Sequence, residues 1–147
     1  MGLWDWAVAV YGRPGVQDAC LALQDAHGQD VPLLLWAVWA QVDDPALAAR
    51  AAGLARDWDA LAVNPLRAVR RALKPGFEGI ADPAREALRN EVKAAELAAE
   101  RALLQALEGL GGPGGAANGL ESLRTVSAAW KKSPPVDALA VLAAALG

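Results

Sequence analysis

The chain has 147 residues, 54% of them hydrophobic, and a net charge of −3 at neutral pH. One domain of that length buries about two-thirds of its unfolded surface, and a mildly acidic whole argues against general binding to nucleic acid or anionic membranes. Much of the apolar share is alanine and runs rich in Val, Ile and Thr are absent, which makes the composition all-α.

Leu3 to Tyr11 reads as a first helix with two apolar stripes, one through Leu3, Trp6, Ala7 and Val10 and one through Trp4, Val8 and Tyr11. Arg13-Pro14-Gly15 is a turn. A second helix runs from Val16 to Ala26 with Val16, Ala19, Cys20 and Leu23 inward, and His27-Gly28 ends it through a left-handed cap. Asp30 then caps VPLLLWAVWAQV, residues 31–42. No side chain from Val31 to Ala40 is polar, so a helix here has no face for water. A membrane span needs about 20 such residues. The run is too short for that and reads as a central buried helix.

Three dipeptides, Asp44-Pro45, Asn64-Pro65 and Asp82-Pro83, each place a capping side chain before a proline suited to the first helical position. They predict helix boundaries. After the first, Leu47, Ala51, Leu54, Trp58 and Leu61 form one stripe; after the second, Leu66, Val69 and Leu73 face inward until Pro75-Gly76. After the third comes the longest helix, about Pro83 to Glu108, with Leu88, Val92, Ala95, Ala99, Ala102 and Ala106 as its buried stripe and Leu103 and Leu107 widening it. Residues 109–119 hold six glycines in eleven positions and read as a flexible linker. Two short helices follow, one over Leu120 to Lys132 and one after Ser133-Pro134-Pro135. Their docking on the bundle is left open by their composition. The expected architecture is therefore an all-α, compact orthogonal or antiparallel bundle of about six helices at 1–108, a linker at 109–119 and a helical tail at 120–147.

Charge is unevenly spread. Residues 65–74 carry Arg67, Arg70, Arg71 and Lys74 without an acid. They fall at i, i+3, i+4 and i+7, on one side of a helix, and four crowded cations call for something acidic opposite. That is either an anionic ligand or partner gripped by Arg forks, or an internal ion-pair network with Glu96 and Glu100, which share a face of the long helix. The six tryptophans serve as bulk in a core of Ala and Leu or, less commonly, line a pocket for a flat or cationic ligand.

No catalytic set assembles. His27 is the only histidine, and no second His or Cys joins Asp25 and Asp30 to make a metal site. Cys20, the only cysteine, has no basic neighbour to lower its pKa and reads as structural. Asp43, Asp44, Asp57 and Asp59 are spaced at i+1 and i+2, which points their carboxylates apart rather than onto one magnesium. Phosphate loops and nucleophile elbows are missing. No cofactor is expected, and with no signal peptide or disulfide pair the default compartment is the cytoplasm.

Several stretches carry a resemblance: LWDWAVAVYGRPGV at 3–16, ACLALQDAHGQDVPLLLWAVW at 19–39, NPLRAVRRALK at 64–74 and LRNEVKAAELAAERALL at 88–104. As a set they are similar to a family of short proteobacterial proteins known as a conserved domain of unknown function, over about residues 3 to 108. The resemblance implies a bacterial, cytosolic, helical protein and brings no activity or site residue. On the residues themselves, the expected function is a non-enzymatic interaction module that binds a protein partner through the face of Arg67, Arg70, Arg71 and Lys74. The alternative is a binding protein or enzyme for an anionic small molecule held between the arginines and a Trp-rich pocket.

Overall fold

A computed structural model describes residues 2–112 and 114–147. It is all-helical, with α1 Leu3–Tyr11, α2 Val16–His27, α3 Val31–Ala40, α4 Pro45–Trp58, α5 Asn64–Ala72, α6 Asp82–Leu110, α7 Gly119–Trp130 and α8 Val136–Leu146. A π-helical turn, Asp59–Val63, joins α4 to α5. Among the described residues, no helix is long and apolar enough to cross a membrane. The helices gather into two compact units, one formed by the chain up to Ala55 with residues 104–147, the other by residues 56–103.

The first unit is built around α3. Its apolar run leaves no exposed position from Val31 to Ala40, and Trp36 and Ala37 are completely buried. Asp30 caps it by accepting a hydrogen bond from the Leu33 backbone N–H at 2.9 Å, with Pro32 in the first turn. Its other end is closed by Gln41, a non-glycine residue at φ 52°, while the Val42 N–H reaches back to the Ala37 carbonyl. A left-handed glutamine costs on the order of 1 kcal/mol. Val42 is buried at 2% exposure, and the burial of that apolar residue just past the helix offsets the strain.

The C-terminal helices belong to this core. α7 packs on α3, α8 on α2, and the two pack on each other. Leu123, Val126, Leu139 and Leu142 have no exposed surface. Polar contacts fix the register: the Ser127 hydroxyl donates to Gln29 Oε1 at 2.8 Å, the Trp130 indole to the Gly28 carbonyl at 2.8 Å, and Arg13 Nη1 to the Leu146 carbonyl at 2.7 Å. α7 opens with a capping box between Asn118 and Glu121.

The glycine-rich segment, expected as a linker, has contacts of its own; its Pro113 lies outside the described residues. The Trp36 indole N–H donates to the Gly111 carbonyl at 3.0 Å, and the Gly115 and Ala116 N–H groups meet the Ala40 carbonyl at 3.4 Å and Asp43 Oδ2 at 3.2 Å. Any Cβ on Gly115 would collide with the Gln41 carbonyl oxygen. The glycine is there because backbone meets backbone.

Four expectations about boundaries and registers need correction. Asn64 does not cap a new helix: its φ and ψ are helical, and the chain runs from α4 through the π turn into α5, where the Asn64 N–H bonds to the Asp59 carbonyl. The wider turn gives the Pro65 ring room that an α-turn would deny it. That turn also shifts the face, so Leu61 is 72% exposed while Val63 is buried. On α6, Leu88 is 48% exposed and Ala95, Ala102 and Ala106 lie at the surface, whereas Glu96, Ala99, Leu103, Leu104 and Leu107 are buried. The true stripe passes through a glutamate, which an apolar pattern skips. On α5, Val69 faces out at 46% exposure and no residue is buried. Of the tryptophans, Trp36 is a full core residue; the other five are half-buried.

Candidate functional site

The second unit carries the arginine cluster, and its geometry follows from charge. α5 and the part of α6 up to Leu103 lie in it, and α5 turns Arg67 and Arg70 toward Glu96 and Glu100 of α6. Arg67 Nε is 3.2 Å from Glu96 Oε1 and its Nη2 is 3.6 Å from Glu100 Oε1; Arg70 Nε is 2.5 Å from Glu96 Oε2. One carboxylate thus receives two guanidinium groups. Side-chain exposure is 10% for Glu96, against 21% and 26% for Arg67 and Arg70. Burial alone would raise the Glu96 carboxyl, but hydrogen bonds from Arg70 and Arg67, together with their charges, outweigh it and hold the group below its ordinary value. The same bond to Glu96 raises the Arg70 guanidinium. Arg89 adds a hydrogen bond from its Nε to the Arg70 carbonyl at 3.3 Å, and the Trp58 indole donates to the Ala99 carbonyl at 2.8 Å.

The four predicted cations therefore divide. Arg67 and Arg70 are held in ion pairs with the two glutamates singled out as their partners. Arg71 and Lys74 are exposed, and their side chains have no hydrogen-bond or ion-pair partner among the described residues. Beside Arg70 lies a shallow cleft of about 300 Å³ lined by Arg70, Lys93, Glu96, Leu97 and Glu100. Its two carboxylates offset its two cations, so the lining has no net positive charge to hold an anion. Of the six tryptophans only Trp58 shares a unit with the arginines.

What the sequence pattern missed is the loop after α5. Every residue from Lys74 to Ala84 is exposed, and within that stretch lie the only phenylalanine and the only isoleucine of the chain, Phe77 at 70% and Ile80 at 50%. A turn joins them, with the Ile80 N–H on the Phe77 carbonyl at 3.2 Å and Gly79 at φ 89°. Their rarity and their place beside Pro75-Gly76 were the available signal. His27 is the exposed last residue of α2, followed by Gly28 in the left-handed conformation. Cys20 is fully buried, and burial pushes its thiol up to about 11.

Fold and surface together define an all-helical protein whose arginine helix is tied to a buried glutamate. The chain belongs to the family described as protein of unknown function DUF2390, whose model matches residues 2–107. The match ends inside α6, so α7 and α8 lie beyond it. No curated protein and no solved structure matches the chain.

Proposed function

We propose that the protein is a non-enzymatic, cytoplasmic interaction module that binds a protein partner through α5 and the loop that follows it. One observation carries this: α5 buries none of its residues and leads into eleven consecutive exposed positions, and this stretch exposes Val69, Phe77 and Ile80 together with Arg71 and Lys74, whose side chains have no partner among the described residues. Solvated segments are ordinarily polar, and large apolar side chains exposed along one stretch among free charges are what a protein interface offers before it is covered. The small-molecule alternative is the weaker reading, since the cleft at Arg70 sets two carboxylates against its two cations and keeps no net positive charge for an anion.

The test uses Arg71→Glu with Lys74→Glu, which leaves every ion pair intact. The wild-type and variant chains are immobilised and challenged with an extract of the native organism, and retained proteins are identified by mass spectrometry. Proteins held by the wild type and lost from the variant, with an unchanged helical circular dichroism spectrum, are the expected outcome. Identical sets from both chains would overturn the assignment.

A further inference from the structure

Resting on that proposed interface, we infer that its partner is a second copy of this chain. The surface holds both halves of a charge pair. Along the chain Arg71 and Lys74 precede Phe77 and Glu78 follows it; all three charged side chains are exposed and none has a hydrogen-bond or ion-pair partner among the described residues. A purely acidic partner would satisfy the two cations but meet Glu78 with like charge. A purely basic partner fails in the opposite way. A second copy turned by a two-fold axis satisfies both, because in such an interface residue i meets j and j meets i.

Phe77 and Ile80 of each copy then cover one another at the centre, while Glu78 of each lies against Lys74 and Arg71 of the other. Aromatic anchors inside a ring of charge pairs are the arrangement that concentrates binding energy. The turn that presents them is fixed by its own hydrogen bond and sits beside the start of α6, where a Cβ on Gly76 would be 3.7 Å from Arg85 Nη1. So small an anchor set per copy describes a weak, concentration-dependent dimer rather than an obligate one.

Sedimentation equilibrium of the full chain, over about a hundredfold range of concentration, tests this. The expected result is a reversible monomer–dimer equilibrium. Lys74→Glu and Glu78→Lys alone each weaken it about tenfold, and the two together restore it, since reversing both members of a pair rebuilds the pair. Phe77→Ser with Ile80→Ser weakens it about a hundredfold; these positions are exposed, and an unchanged helical spectrum shows that the variant folds. A chain that stays monomeric throughout, or a charge swap that fails to restore the dimer, overturns the second-copy inference. Neither result touches the wider interaction reading, which stands or falls on whether the extract capture differs between wild type and the Arg71→Glu, Lys74→Glu variant.

Discussion

Arg70 Nε sits 2.5 Å from Glu96 Oε2, and this one contact decides which way α5 faces. With Arg67 on the other oxygen of the same carboxylate, it turns the two arginines inward and leaves Val69 half exposed. An apolar stripe was available on α5, but a buried glutamate on α6 needed cations more than α6 needed another valine, because an unpaired buried charge costs several kcal/mol.

Replacing Glu96 with Gln removes the acceptor charge and leaves two adjacent guanidiniums facing each other. The pair is partly screened, between the exposed and fully buried limits, so the expected loss is about 2 kcal/mol. Urea denaturation followed by circular dichroism measures it. A loss below about 0.5 kcal/mol would mean that the ion pairs do not orient α5.

The same pair gives a pH dependence of definite sign. The Glu96 carboxyl is held below its ordinary 4.5, so the unfolded chain binds more protons as pH falls through that value. Its stabilising contribution is complete above 4.5 and is lost as pH drops toward the lower folded-state value. The stability difference between wild type and Glu96→Gln should therefore be flat near neutrality and shrink in acid. A difference that grows in acid would reverse the assignment.

Gly115→Ala drives a methyl group into the Gln41 carbonyl oxygen and to 2.6 Å from its carbon, and both atoms are backbone. Neither can rotate away, so the glycine-rich segment must shift. The expected cost is about 2 kcal/mol or more, and limited proteolysis should cut residues 109–119 faster in the variant.

Ser127→Ala takes the hydroxyl from the buried Gln29 oxygen. An acceptor stranded in the core costs about 1–3 kcal/mol. Because the bond ties α7 to the end of α2, hydrogen exchange in α7 and α8 should quicken more than in α6.

Cys20 has no exposed surface and a thiol pushed up to about 11, so burial and the scarcity of thiolate both protect it. An aromatic disulfide reagent at neutral pH should leave it unlabelled in the folded chain and label it only as the chain unfolds. Fast labelling in the native state would place Cys20 outside the core.

Some of this was written in the residues. Ten apolar positions in a row admit no wet face, so the central place of α3 followed from local composition, as did its capping by Asp30 and Pro32 and the left-handed Gly28. The pairing of Arg67 and Arg70 with Glu96 and Glu100 was legible as one of two options, since helical spacing put each set on one face. Only the tertiary structure chose between them. It also decided the docking of α7 and α8, the burial of Glu96 in the middle of an otherwise alanine and leucine stripe, and the exposure of Leu61 beyond the π turn. Periodicity reports which face a helix can bury, whereas the face it does bury depends on what lies opposite, and a charge counts as core once its counter-charge arrives from a segment dozens of residues away.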